Sequence, residues 1–217
     1  IADKMAYVNS LFLTKQYEPT IAWVEKIINE DGSRNYLRRL SAYSYYETEN
    51  YEKGKAIMDD YFSRVAAEKI IPQDFEYYAK FLQKENQDSL AAVYYEKAIE
   101  LDPQRWNLYA EIGSIRYKAK DYAGAVEAYV NRLDSLQVRT ALDYYQIGLA
   151  HFMLRDSADY SKAADYFTKV TEIVPDKTTG WIMKAKSLSK LEPDVDSYPE
   201  RIGEFGKAKD AFDHFVT

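Results

Sequence analysis

The feature that most constrains this chain is a recurrence of small, bulky and turn residues about every 34 positions. Six units line up when each is anchored on a short polar segment. These segments are Lys15-Gln16-Tyr17, Glu49-Asn50-Tyr51, Asn86-Gln87-Asp88, Lys120-Asp121-Tyr122, Ala158-Asp159-Tyr160 and Gly203-Glu204-Phe205. A small residue follows in most units, at Thr20, Gly54, Ala91, Ala125, Ala163 and Ala208. Four residues further on stands a bulky one, at Val24, Met58, Tyr95, Tyr129, Phe167 and Phe212. A second small series, Val8, Ala42, Ala79, Gly113, Gly148 and Ala185, precedes the turns. Small against large at helical spacing is what two closely packed antiparallel helices require. The pattern predicts an all-α chain of helix-turn-helix units.

Glycine inside a helix is about 1 kcal/mol worse than alanine, so Gly113 and Gly148 imply close packing. Lys15, Glu49, Asn86 and Lys120 stand where a left-handed glycine often closes such a turn. A side chain there costs about 1 kcal/mol or more, which predicts turns that differ in detail. Three insertions interrupt the period. Ser63–Ile71 reads as an extension of a second helix that Pro72 ends, and about three residues are added near Arg155–Ala158. Glu192–Gly203, with Pro193 and Pro199, reads as a loop or broken helix.

Between Tyr95 and Tyr129 the chain runs Tyr-Glu-Lys-Ala-Ile-Glu-Leu-Asp-Pro, then Tyr109, Gly113 and Asp-Tyr-Ala-Gly-Ala-Val-Glu-Ala-Tyr. In period and pattern this resembles the tetratricopeptide repeat (TPR) family. The resemblance implies a single domain over 1–217, a right-handed α-solenoid of about six TPR-like repeats. Their approximate limits are 1–34, 35–71, 72–105, 106–140, 141–177 and 178–217. Arg132 stands where the family has alanine, and Arg38 where an aromatic residue or leucine is expected.

The family binds partners rather than transforming substrates. The resemblance therefore implies a non-catalytic protein-protein interaction scaffold that holds a peptide or protein in its concave groove, which the first helices line. Carried onto this chain, the groove positions include Tyr36, Arg39, Tyr43, Tyr46, Lys80, Lys84, Tyr117, Lys118, Tyr145 and Phe152. Tyrosine and arginine are enriched in binding hot spots. Cations collected on an acidic protein would steer an acidic peptide inward. The Lys and Asn set of chaperone-adaptor TPR domains is matched only at Asn9. Two alternatives stay open: a self-assembly module, and an accessory domain for an acidic small molecule or glycan. Likeness in style to bacterial envelope TPR proteins points to a periplasmic or cell-envelope location over a cytoplasmic one.

Composition sets further bounds. The net charge of −6 argues against general nucleic-acid binding, which needs a basic face. The chain has no cysteine, hence no disulfide and no thiolate chemistry. No apolar run reaches the roughly 20 residues that span a bilayer. Twenty-one tyrosines suit half-buried positions between helices and in grooves. No phosphate-cradling glycine loop, nucleophile elbow or His-Glu-x-x-His pattern occurs, so neither catalysis nor a cofactor is expected. Asp194-Val195-Asp196 begins like a calcium loop, but Pro199 and Phe205 stand where its glycine and closing acid belong. His151 is expected to face the core, and His214 to pair with Asp210 on a surface. The stripe Phe205, Ala208, Phe212 and Phe215 suggests a terminal helix whose outer face needs a further contact, from a longer chain or from self-association.

Overall fold

The computed structural model describes residues 2–30 and 35–191. These form α1 (Ala2–Leu13), α2 (Tyr17–Glu30), α3 (Asn35–Glu47), α4 (Tyr51–Arg64), α5 (Pro72–Lys84), α6 (Asp88–Leu101), α7 (Leu108–Lys118), α8 (Tyr122–Ser135), α9 (Ala141–Leu154), α10 (Ser157–Ile173) and α11 (Thr178–Ser189). No strand occurs among the described residues. The fold is all-α, built of helix-turn-helix repeats. The helices group into two compact units, which meet in sequence between Arg105 and Trp106. The sixth turn, the Glu192–Gly203 insertion, His214 and the stripe from Phe205 to Phe215 lie outside the described residues.

The recurring positions form the core. In the first unit Val8, Ala42 and Ala79 are buried, and so are Thr20, Gly54, Ala91, Val24, Met58 and Tyr95. In the second, Gly113, Gly148, Ala125, Ala163, Tyr129 and Phe167 are buried. Gly113 admits the Tyr129 ring so closely that a β-carbon there would overlap it. At Gly148 a β-carbon would stand 3.0 Å from the Phe167 ring. A small residue on one helix and a ring on the next thus set the interhelical distance.

The hairpin turns do not differ from one another as expected. Lys15, Glu49, Asn86 and Lys120 all take the left-handed conformation, with φ between 58° and 64°. In each of these four turns two backbone bonds reach back into the preceding helix. Lys15 N–H donates to Phe12 C=O and Gln16 N–H to Leu11 C=O, both at 2.9 Å, and the same pairing recurs at Glu49, Asn86 and Lys120. Such paired bonds satisfy carbonyls the helix end would orphan, which offsets the side-chain strain.

An aromatic pair also closes most hairpins. Phe12 meets Tyr17, Tyr46 meets Tyr51, Tyr117 meets Tyr122 and Phe152 meets Tyr160, with ring centroids 5.2–6.0 Å apart. In the third hairpin the corresponding position is Gln83, which accepts from Tyr95 Oη at 2.7 Å.

Two insertions resolve differently from the sequence reading. The helix expected to run through Ser63–Ile71 ends at Arg64, and a 3-10 turn covers Ala67–Lys69. Pro72 opens α5 as its first residue, where a missing N–H is harmless. The three residues near Arg155–Ala158 lengthen α10 to 17 residues, against 14 for α8. The turn therefore sits at Arg155, itself left-handed with φ 62°, and not at Ala158-Asp159-Tyr160.

Candidate binding surface

In the first unit, aromatic rings run along the first helices of the three hairpins. Phe12 of α1 meets Tyr43 of α3, and Tyr43 stacks on Tyr77 of α5 with centroids 4.1 Å apart. Tyr43 and Tyr77 are 1 % and 8 % exposed, so this ladder is core rather than groove. The sequence reading placed Tyr43 on the binding face, and the structure corrects it. Helical periodicity gives a side chain's direction but not its depth.

Arg39 is engaged in the same interior. Its guanidinium is 3.0 Å from Asp74, donates to Lys69 C=O at 2.9 Å, and bonds the Tyr61 hydroxyl. Asp74, with no exposure, also accepts from Tyr43, from Tyr61 at 3.1 Å and from Ile71 N–H at 2.9 Å. Four donors on one carboxylate neutralise a charge that burial alone would not tolerate. With the Arg39 bond to Lys69 C=O, they also pin the segment between α4 and α5 to the hairpins. Arg38, which stands where the family has an aromatic residue or leucine, pairs with Asp60 at 2.8 Å.

Above the ladder, Tyr46, Lys80 and Lys84 gather around Tyr51 and Tyr77. Tyr46 is half-buried and meets Tyr51, Tyr77 and Phe81 at 5.2, 5.7 and 5.2 Å. Lys84 is exposed, with Nζ 4.6 Å from the Tyr51 ring, and Lys80 lies 4.8 Å from that of Tyr77. Lys80 also pairs with Glu76 at 2.7 Å, and Arg105 reaches the same carboxylate. Tyr77 donates to Glu47 at 2.7 Å; burial first, then that carboxylate, pushes its phenol far above the ordinary range. Lys84 has no carboxylate partner among the described residues. Tyr36 is half-buried and packs on the core of this unit. Sequence reasoning passed over Tyr51 as a member of this face and Tyr77 as the core ring beneath it. The signal for Tyr77 was its place one helical turn before Lys80.

In the second unit the expected residues separate. Tyr117 packs with Tyr122 against the cluster around Tyr129, and Lys118 is exposed beside it in sequence. Tyr145 leans on Phe167 and Phe152 on Tyr160, both along α9 with Leu149. Arg132 pairs with Asp143, which closes a capping box with Thr140 at the start of α9. His151 faces the core as expected, 6 % exposed, with Nδ1 2.9 Å from Asp159 and its ring stacked on Tyr166. Burial lowers its pKa, against the opposing pull of Asp159.

No described helix is long and apolar enough to cross a membrane. No protein-family model matches the chain, and no curated protein matches it in sequence. Solved structures do. The C-terminal part of a TPR repeat-containing protein from Cytophaga hutchinsonii superimposes with a TM-score of 0.71 at 29 % identity, over 95 % of this chain and 82 % of that one. YrrB, a TPR protein with an unusual peptide-binding site, gives 0.68 at 18 % identity, over 83 % and 90 %. MamA gives 0.66 at 15 % identity, over 82 % and 93 %. Helix pairs closed by recurrent turns, small residues facing rings, and these likenesses together relate the chain to the tetratricopeptide repeat family.

Proposed function

We propose that this protein is a non-catalytic scaffold whose first-helix face in the first unit holds an extended segment of a protein partner. The observation that carries the reading is the gathering of Tyr46, Lys80 and Lys84 around Tyr51 and Tyr77. Rings already packed on one another lose little freedom when a ligand arrives, so they favour binding. Lys84, exposed and without a carboxylate partner among the described residues, supplies a cation for an acidic group of the partner. YrrB, with its peptide-binding site, supports a peptide-like ligand for this fold.

The test is affinity enrichment of the partner, followed by titration of the purified pair with Lys84→Glu and Lys80→Gln variants. Arg39 and Tyr43 are unsuitable, because changing them removes core contacts. Losing one charge-matched contact should weaken binding about tenfold and steepen with lower salt. Equal affinity for wild type and double variant would move the site off this face.

A further inference from the structure

A cleft of about 550 Å³ opens in the second unit, on residues outside the expected groove. It is lined by Arg139 ahead of α9, Tyr144 of α9, and Lys162, Asp165, Tyr166 and Lys169 of α10. Its volume falls within the range of small-ligand and side-chain pockets. The rings of Tyr144 and Tyr166 are in tilted contact, 6.4 Å apart, and His151 stacks on Tyr166 at 5.6 Å. These rings are therefore set before any ligand arrives.

The first unit offers an internal comparison. There a cleft of about 300 Å³ is lined in part by Glu25, Arg38 and Ile57. Arg38 precedes the left-handed Glu49 by as many residues as Tyr144 precedes Arg155. Ile57 follows Tyr51 by as many residues as Tyr166 follows Tyr160. The two clefts thus share two equivalent positions of the repeat, occupied by different chemistry. In the first unit Arg38 is engaged by Asp60, and Glu25 by Tyr45 and Lys53.

In the second, Arg139 donates from Nε to Leu133 C=O at 3.3 Å and has no carboxylate partner among the described residues. Lys162 and Lys169 keep side chains 60 % and 55 % exposed, with Asp159 at 3.9 Å and Glu172 at 2.9 Å as surface partners. Asp165 is the one acid lining the cleft.

We propose that this cleft is a second binding site, which receives an acidic protein segment. A carboxylate of that segment is held by Arg139 together with Lys162 and Lys169. The site is independent of the first-helix face.

The experiment titrates a fluorescent peptide of alternating glutamate and leucine into the purified chain, with a glutamine-for-glutamate peptide as control. Anisotropy is compared among wild type, Arg139→Glu/Lys169→Glu and Lys84→Glu. The cleft predicts binding of the acidic peptide alone, weakened about tenfold or more by the Arg139/Lys169 variant and unchanged by Lys84→Glu. Weakening by Lys84→Glu alone would overturn the cleft and leave the first-helix reading standing. Equal binding of both peptides, or of all three proteins, would overturn the cleft as well.

Discussion

Arg39 of α3 and Asp74 of α5 stand 3.0 Å apart, with the carboxylate shut off from solvent. The pair ties two successive hairpins together, and the tyrosine hydroxyls of residues 43 and 61 complete its bonding. Asp74→Leu leaves a largely buried guanidinium and two hydroxyls without their acceptor. It should lower stability by about 3–5 kcal/mol, while the double variant Arg39→Met/Asp74→Leu recovers part of that loss. Urea unfolding of the three proteins measures this. A single-variant effect below about 1 kcal/mol would show the pair to be dispensable.

The hairpins were legible in the sequence because Gly113 and Tyr129, or Ala163 and Phe167, record close packing directly. Depth was not legible. Arg39 and Tyr43 share a helix face with Tyr36 and Tyr46, yet Asp74, more than thirty residues on, draws the first two inward. The Ser63–Ile71 segment misled for a related reason. It holds no proline or glycine before Pro72, and its break from the helix is fixed by bonds to Arg39 and Asp74. The cleft in the second unit draws residues from a connection and two helices, a juxtaposition no local spacing shows.

Gly113→Ala pits helix propensity against packing. Alanine gains roughly 1 kcal/mol as a helix former, but its methyl would overlap the buried Tyr129 ring unless that ring shifts. Overpacking of this kind costs about 1–3 kcal/mol, so the variant should be destabilised on balance. Gly148→Ala, where the nearest ring carbon is 3.0 Å away, should be milder. Thermal unfolding of the two variants side by side settles the order, and a more stable Gly113→Ala would contradict this account of the helix pair.

The left-handed turn residues offer gains rather than losses. Lys120→Gly relieves side-chain strain of roughly 1–2 kcal/mol, less the added freedom of glycine in the unfolded chain. A net gain of about 0.5–1 kcal/mol follows. Lys15→Gly and Glu49→Gly should behave alike, and Asn86→Gly should gain least because asparagine tolerates this conformation. Denaturant midpoints of the four variants provide the ranking; a uniform loss of stability would mean that the side chains make compensating contacts.

His151 links stability to mild acid. Burial keeps the folded pKa below the ordinary 6.5, with Asp159 opposing and Lys162 reinforcing the shift. Above pH 6.5 the imidazole is neutral in both states and has no pH-dependent effect. Below it, the unfolded chain takes up the proton first, so stability falls as pH drops from 6.5 toward the lower folded value. His151→Asn keeps a donor for Asp159 but removes the titration. Unfolding curves from pH 7.5 to 5.5 should therefore slope less for the variant than for wild type. Parallel slopes would rule out His151 as their source.

The tyrosines set the corresponding limit in base. Burial pushes the Tyr129 phenol up to about 12, and Tyr43 and Tyr77 are held higher still, first by burial and then by Asp74 and Glu47. In the unfolded chain the same phenols ionise near 10. Their contribution is complete below pH 10 and is lost as pH rises above it, because only the unfolded state can release those protons. Phenolate absorbance should accordingly rise in two stages. The buried group, Tyr43, Tyr77 and Tyr129, ionises in the late stage, together with loss of helical ellipticity. Replacing Tyr129 by phenylalanine should remove one phenol from the late stage and leave the early one unchanged. A single smooth titration centred near 10 with the helices intact would show that these rings reach solvent without unfolding, contrary to the packing at Gly113 and Asp74.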